Sequence, residues 1–193
     1  MLLENLESYE IILASKSPRR QQLLSDLGLK FRVQSMDIPE VFPDGLGMTE
    51  VPVYLAELKA EAFRPFLENH QLVITADTIV WLDGKVLNKP ADYADGFSML
   101  KDLSGKKHQV VTGVCLLSAK KKVSFHASTD VWFKPLSDEE IHHYLEHYKP
   151  YDKAGAYGIQ EWIGHIGIYH IEGSFFNVMG LPVQSLYEHL KAF

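Results

Sequence analysis

Apolar, β-rich runs alternate along this chain with segments of helical periodicity, and this alternation restricts the fold more than any other feature. The first two runs, YEIILAS and KFRVQSM, flank a helix predicted from Pro18 to about Leu27. A longer helix is predicted from about Val51 to Phe66. The opening is therefore β-α-β-α, an order typical of parallel strands covered by helices.

The middle of the chain carries antiparallel signals instead. The stretch QLVITADTIVWLDGKVLN predicts a strand, a break and then a hairpin that turns at Asp83-Gly84. After a helix predicted from about Tyr93 to Leu103 come two long β runs, KHQVVTGVCLLSA and KVSFHASTDVWFKPL. A basic turn, Lys120 to Lys122, joins them, and we expect them to pair antiparallel.

The last third predicts one strong helix, SDEEIHHYLEHY, with Ser137 as its cap and Glu140 three residues later. Its histidines, His142, His143 and His147, are interpreted as residues of a solvated face rather than metal ligands. The tail GIYHIEGSFFNVMG is predicted to be β-rich and to end in a short helix after Pro182. Together these signals predict an α/β fold with a mixed, twisted sheet flanked by helices, in one domain over residues 1–193.

Charge and composition limit the classes of partner that this chain is expected to bind. The net charge of -6 argues against broad, nonspecific contact with nucleic acid, so we expect no nucleic-acid partner and a focused site for any phosphate. The start, MLLENLESYE, is acidic rather than basic, and no apolar run approaches the ~20 residues that cross a bilayer. We therefore expect a cytoplasmic protein without a membrane partner, with the single cysteine, Cys115, as a core thiol.

The stretch SKSPRR places two hydroxyls and two arginines where the first strand meets the first helix. Ser17 is expected to cap the helix and Pro18 to be its first residue. Unpaired N–H groups at a helix start attract anions, and arginine adds bidentate contacts to phosphate. With Ser15, Arg19 and Arg20, the stretch is interpreted as a phosphate-binding site. A helix start followed by solvated arginines is the alternative.

Two acids are candidates for chemistry. Asp77, followed by Thr78, interrupts the apolar run VITADTIV, and a carboxylate there is costly unless it is paired, hydrated or bound to a metal. It would hold Mg²⁺ or accept a proton from an attacking water; a turn aspartate at a strand end is the alternative. Glu40, in DIPEVFPDG, follows another strand and supplies a second acid.

Three lysines and one glutamine complete the candidates. Lys59 lies on the second predicted helix, Lys89 follows the hairpin, and Lys153 lies in the loop DKAGAYGIQ. Each lysine by itself also fits an ordinary surface position. Gln160 closes that glycine-containing loop, where its amide would hydrogen-bond a planar group such as a nucleobase edge; an ordinary β-turn is the alternative.

Seven motifs, in this order, give the chain a family resemblance: LASKSPRR, an acid after the second strand, ADT, NKP, LSGKKHQVVTGV, DKAGAYGIQ and NVMGLP. From about Ile11 to Leu190 the chain resembles the Maf family of nucleoside triphosphate pyrophosphatases. The resemblance implies a fold similar to that of inosine triphosphatases, with two lobes and a cleft between them, commonly as a homodimer. It also implies hydrolysis of the α-β phosphoanhydride bond of a nucleoside triphosphate with a divalent metal, Mg²⁺ or Mn²⁺.

The resemblance assigns roles by motif. Asp77, Glu40 and Lys89 form the implied catalytic set, with Asp77 as the proton acceptor and both acids as metal ligands. The residues implied to bind the triphosphate are Ser15, Ser17, Arg19, Arg20, Lys59 and Lys89.

The chain is similar to the branch acting on dTTP and UTP, through Arg19, Thr78 and Gln160. The implied role is removal of these or modified pyrimidine nucleotides from the nucleotide pool. The alternative is a nucleotide-binding regulator of septum formation or cell division without significant turnover.

Overall fold

The computed structural model describes residues 3–193, in which seven β-strands and seven α-helices form an α/β fold. The strands are β1 (Glu10–Leu13), β2 (Phe31–Val33), β3 (Gln71–Leu82), β4 (Lys85–Leu87), β5 (Lys107–Ser118), β6 (Lys122–Phe133) and β7 (Ile168–Glu172). The helices are α1 (Pro18–Asp26), α2 (Glu50–Glu61), α3 (Tyr93–Leu103), α4 (Asp138–Tyr148), α5 (Trp162–Gly167), α6 (Phe175–Met179) and α7 (Val183–Lys191).

The sheet is mixed, as predicted. Its strands follow the order β2-β1-β3-β5-β6-β7, and β4 pairs with β3. β1 is parallel to β2 and to β3, whereas β4 is antiparallel to β3 and β7 is antiparallel to β6. β5 and β6 are neighbours joined by residues 119–121, a connection short enough to require the predicted antiparallel pairing.

By its contacts the chain divides into two compact units, each with its own core. The first unit takes in the described residues up to Asp77, together with Thr112–Ala127 and Gly180–Phe193. In its core, Ile12, Val73 and Cys115 from three strands pack with Ala56 and Ala60 of α2. Cys115 is a free, fully buried thiol, as predicted, and burial raises its pKa to about 11, which keeps it protonated and unreactive.

The second unit comprises Thr78–Val111 and Ser128–Met179. Its core gathers residues from strands, from helices α3 and α4, and from the loop before α5; the largest fully buried side chains there are Tyr144, Phe133, Leu100 and Leu103. This unit contains the hairpin predicted at Asp83-Gly84, where both residues adopt positive φ (49° and 83°). The predicted capping box of α4 is also present, with reciprocal hydrogen bonds between Ser137 and Glu140.

Two expectations for the strands and the tail are wrong. The break expected near Asp77 is absent, because β3 runs without interruption from Gln71 to Leu82. The β-rich tail is a strand only as far as Glu172, and FFNVM forms helix α6. Ser174 Oγ accepts the N–H of Asn177 at 3.3 Å, which starts this helix against the β propensity of its residues.

The second predicted helix ends earlier than expected: α2 stops at Glu61, and Arg64–Phe66 forms a separate 3₁₀ turn. The short helix α5 was not expected from the sequence. The α4 histidines, His142, His143 and His147, lie on the exposed side of that helix.

Candidate active site

The end of β1 and the start of α1 form a hydroxyl-lined turn. Ser17 caps α1, with its hydroxyl accepting the N–H of Arg20 at 3.5 Å, and Pro18 is the first helical residue. Ser15 is buried, and its hydroxyl accepts the N–H of Ser17 at 3.2 Å. The predicted cap is therefore confirmed, and the helix presents its N-terminal N–H groups beside two serines and the half-buried Arg19.

Arg20 connects this turn to the chain near residue 180. Its Nε donates to the carbonyl oxygen of Gly180 at 2.8 Å, and its Nη1 donates to Ser15 Oγ at 3.4 Å. Burial lowers the pKa of Arg20, while the charges of Asp77 and Glu40 oppose that shift. Arginine remains protonated in proteins, so a fixed cation lies within electrostatic reach of both acids.

Lys59 joins the two predicted acids. Its Nζ is 2.5 Å from Asp77 Oδ1 and 2.8 Å from Glu40 Oε1. The side chains of Lys59 and Asp77 are only 15% and 11% exposed, whereas that of Glu40 is 43% exposed. The buried strand therefore tolerates Asp77 because a lysine from a neighbouring helix compensates its charge.

Helix α2 places Lys59 by ordinary packing. Leu55, Ala56 and Ala60 are buried. Lys59 lies four residues after Leu55 and three after Ala56, so it is on the same inward-facing side of the helix. The hydroxyl of Thr75, on β3 two residues before Asp77, donates to the carbonyl of Ala56 at 2.7 Å. The helix and the strand are thus tied together next to the lysine and the aspartate.

The donor set at Lys59 fits a hard divalent cation that retains other ligands. Glu40 and Asp77 supply carboxylate oxygens, which Mg²⁺ and Mn²⁺ prefer. Within residues 3–193, no cluster of three or more His, Cys, Asp or Glu side chains is arranged to hold a metal by itself. Two carboxylates suit Mg²⁺, which is commonly bound by one or two of them together with water and substrate phosphates.

The other predicted site residues belong to the second unit. Thr78 is half-buried on β3, directly after Asp77, and Lys89 is exposed after β4. Gln160 is exposed at the end of the loop that begins at Lys153. The N–H of Gly155 donates to the carbonyl of Asn88 at 3.1 Å, which ties this loop to the segment carrying Lys89.

Sequence reasoning missed an arrangement around Lys153. This lysine is buried, with its Nζ 2.7 Å from Asp152 Oδ1 and 3.1 Å from Glu161 Oε1. Tyr144 of α4 donates its hydroxyl to the other oxygen of Glu161. Tyr144 lies within the helix predicted at SDEEIHHYLEHY, and the only signal for its role is that a buried tyrosine hydroxyl needs a hydrogen-bond partner.

The Maf-like protein family model matches residues 10–193. The chain therefore belongs to the Maf family, as its motifs indicated. The dTTP/UTP pyrophosphatase of Phocaeicola vulgatus is 58% identical over 191 residues, covering 98% of this chain and 99% of that protein. The dTTP/UTP pyrophosphatase of Parabacteroides distasonis is 54% identical over 193 residues, covering both chains completely.

Among solved structures, the Staphylococcus aureus Ham1 protein is similar over 64% of this chain and 71% of its own, with 15% identity and a TM-score of 0.41. Among residues 3–193, no helix has both the length and the apolar character needed to cross a membrane.

Proposed function

We propose that this chain hydrolyses dTTP and UTP to the nucleoside monophosphate and pyrophosphate. The proposal rests on one structural observation: the carboxylates of Glu40 and Asp77 both form ion pairs with Lys59. Both carboxylates are also close enough to Arg20 to influence its pKa. The relatives named dTTP/UTP pyrophosphatase, 58% and 54% identical over nearly the whole chain, support the nucleotide specificity. They favour hydrolysis over the alternative of a nucleotide-binding regulator of septum formation or cell division.

Asp77 is the proposed proton acceptor. A water attacking a phosphorus atom in line loses a proton as the bond to the leaving pyrophosphate breaks, and a carboxylate beside it accepts that proton. Lys59, 2.5 Å from Asp77, compensates the charge of this carboxylate and orients it. The buried position of Asp77 restricts its rotamers, which keeps the acceptor oxygen in place.

The turn before α1 is the proposed triphosphate-binding segment. Ser15, Ser17, Arg19 and Arg20 offer hydroxyls, guanidinium groups and helix N–H donors, all of which bind phosphate oxygens. Lys59 and Lys89 add positive charge for the oxygens that become more negative as pyrophosphate leaves. We also assign Lys89 to the catalytic set on the strength of its NKP motif.

Glu40 and Asp77 are the proposed ligands of Mg²⁺ or Mn²⁺. When bound, the metal would neutralise phosphate oxygens and assist departure of the leaving group. Glu40 is the more exposed of the two acids, so it can exchange its contact with Lys59 for a ligand at little cost.

Pyrimidine specificity is assigned to Arg19, Thr78 and Gln160. A uracil or thymine edge presents one N–H donor between two carbonyl acceptors, and the Gln160 amide offers both a donor and an acceptor. Gln160 is exposed and so is accessible to a base. Modified pyrimidine nucleotides share this edge, so removal of such nucleotides from the pool is part of the proposal.

We propose further that residues 1–193 act as one catalytic domain, since a single family model spans 10–193. The proposed homodimer would use the edge strand β7, where Tyr169 is 69% exposed and Phe175 and Phe176 follow as exposed aromatics. The proposed location is the cytoplasm, where nucleoside triphosphates are used.

The test is pyrophosphate release from dTTP, UTP, CTP and GTP, with and without Mg²⁺ or Mn²⁺. Wild type is expected to convert dTTP and UTP only with metal, and Asp77→Asn to lose ~10²–10⁴-fold in kcat. Asp83→Asn makes the same chemical change at an exposed hairpin and should retain full activity. Tight nucleotide binding without turnover by wild type would support the regulator instead.

A further inference from the structure

The loop that carries Gln160 is held in place by three side chains, Lys153, Glu161 and Tyr144, which we call the loop brace. Lys153 and Glu161 lie at the two ends of the segment and form an ion pair, Nζ to Oε1 3.1 Å. Tyr144 reaches the segment from α4: its hydroxyl donates to Glu161 Oε2 and accepts the N–H of Gly158 at 3.0 Å. Both carboxylate oxygens of Glu161 are thereby bound.

The brace is built into the core of the second unit. Tyr144 is fully buried, and the Lys153 side chain is only 9% exposed. Burial and the bond to Glu161 raise the pKa of Tyr144, so its hydroxyl remains a donor. Burial of a lysine is unfavourable unless an opposite charge compensates the ammonium group. Glu161 and Asp152 supply that compensation.

The backbone between the ends of the loop leaves little freedom. Gly155 has φ +68°, and a Cβ added there would lie 2.9 Å from Val80 Cγ2. A Cβ on Gly158 would lie 2.8 Å from the carboxyl carbon of Glu161, so the glycine allows this carboxylate to approach the backbone. Ala156, with φ +58°, adopts a conformation that L-residues rarely hold without support from their surroundings.

The brace matters for recognition because a glutamine amide is not selective by itself. Rotation about its last torsion exchanges the positions of its donor and acceptor, so one amide can serve a uracil edge or a cytosine edge. Discrimination requires that the amide be held at one place, which begins with the backbone that carries it. Here the residues on either side of Gln160 are both held: Ile159 is buried, and Glu161 belongs to the brace.

We propose that Tyr144, Glu161 and Lys153 are positioning residues that hold Gln160 so that this enzyme discriminates uracil and thymine from cytosine. The inference rests on the proposed function and on Gln160 as the base-binding residue. None of the three residues is assigned a contact with the substrate.

The test is the ratio of kcat/KM for UTP to kcat/KM for CTP. In Tyr144→Phe, which loses one hydroxyl, we expect this ratio to fall about fivefold to tenfold. Loss of a donor to Glu161 and of the acceptor for Gly158 frees the loop, so CTP improves relative to UTP. Glu161→Gln is the second variant, expected to act in the same direction, and it keeps the test valid if Tyr144→Phe does not fold.

Ser137→Ala is the matched control. Its hydroxyl caps the same helix, α4, through the N–H of Glu140 at 3.2 Å, so its loss lowers the melting temperature without removing an atom of the brace. The selectivity ratio should stay within about twofold of wild type in this control. A comparable fall of the ratio in Ser137→Ala would reduce the brace to a general stabilising element and overturn the proposal.

The double variant, Tyr144→Phe combined with Gln160→Ala, tests whether the brace acts through Gln160. If the brace acts through Gln160, adding Tyr144→Phe to Gln160→Ala changes the ratio no further, because the side chain to be positioned is gone. An undiminished effect in that background, or an unchanged ratio in both brace variants, overturns the inference while leaving UTP hydrolysis in place. Wild type that turns over no nucleotide would overturn the proposed function, and this inference with it.

Discussion

Each unit of the molecule contains a lysine that is largely buried between two carboxylates, but the two lysines are held in different ways. Lys59 contacts Asp77 and Glu40, which are far from it in sequence, and Glu40 is 43% exposed. Lys153 contacts its neighbour Asp152 and Glu161, whose second oxygen is bound by Tyr144.

This difference is consistent with the two roles proposed above, ligand exchange at Lys59 and maintenance of a loop conformation at Lys153. Around Lys59, Glu40 is partly exposed and Arg20 is close enough to act on both acids, and these are the groups that we propose to engage phosphate or metal. Around Lys153, both carboxylate oxygens of Glu161 are bound, one by Lys153 and the other by Tyr144. Both sites thus combine one lysine, one aspartate and one glutamate, for which we propose a catalytic role in the first unit and a positioning role in the second.

Substitution of the first lysine by an isosteric apolar residue gives the largest expected effect. Lys59→Met should lower kcat/KM for UTP and CTP together by ~10²–10³-fold, because it removes a positive charge from the phosphates and the partner of Asp77. Arg20 still faces the acid, so the folded state persists. The check is pyrophosphate release from both nucleotides; activity above about a tenth of wild type would contradict the role of Lys59.

The same substitution at the second lysine should act mainly on stability. Lys153→Met leaves Glu161 without its cation, and breaking a buried pair in this way costs about 3 kcal/mol of the free energy of unfolding. Urea denaturation monitored by tryptophan fluorescence measures this directly. If Lys153→Met were less harmful to stability than Lys59→Met, the two lysines would not differ as proposed.

The third prediction concerns the pH dependence of stability, which a buried histidine of the second unit should influence. His108 is 2% exposed, its Nε2 lies 2.7 Å from the Tyr157 hydroxyl, and burial lowers its pKa from 6.5 to about 3. Between these two pKa values, the unfolded chain binds a proton that the folded chain does not, so the free energy of unfolding falls as the pH falls. The expected loss is about 2 kcal/mol between about pH 8 and pH 5.

His108→Gln isolates this contribution, since its amide retains a polar group for Tyr157 without titrating. The unfolding free energy of this variant, measured by urea denaturation across the same pH range, should lose that part of the slope. An identical pH dependence in wild type and variant would show that His108 is not held neutral.

An exposed ion pair gives the smallest expected effect. Lys16 and Asp37 are 2.6 Å apart but 68% and 89% exposed, so solvent screens their attraction. Asp37→Asn should change the melting temperature by less than about 1 °C. A larger shift of the melting temperature in differential scanning fluorimetry would mean that burial does not decide how much an ion pair contributes to stability.

Several local features were predictable because their signals are local. A serine before a proline specifies the cap of α1, and Ser137 with Glu140 specifies the start of α4. Residues that adopt positive φ readily specify the hairpin at Asp83-Gly84. In each case the atoms that form the hydrogen bonds or set the backbone angles lie within a few residues of one another.

The errors arose where distant groups decide the outcome. An aspartate within β3 was expected to break the strand, but Lys59, 18 residues earlier, compensates its charge. The residues FFNVM favour a strand by propensity, yet the Asn177 amide donates to Val110 O and Thr129 Oγ1, both at 3.0 Å, and these contacts fix the segment as a helix.

The sequence by itself determined the family, the alternation of strands and helices, and the identity of the chemical groups available for phosphate, metal and base. Only the tertiary structure decided which of those groups meet. It brought Lys59 between Glu40 and Asp77, and it buried Lys153 with Glu161 and Tyr144. The reason is physical: side-chain charge and hydrogen-bonding capacity are properties of a residue, whereas burial and pairing depend on which distant segments pack against it.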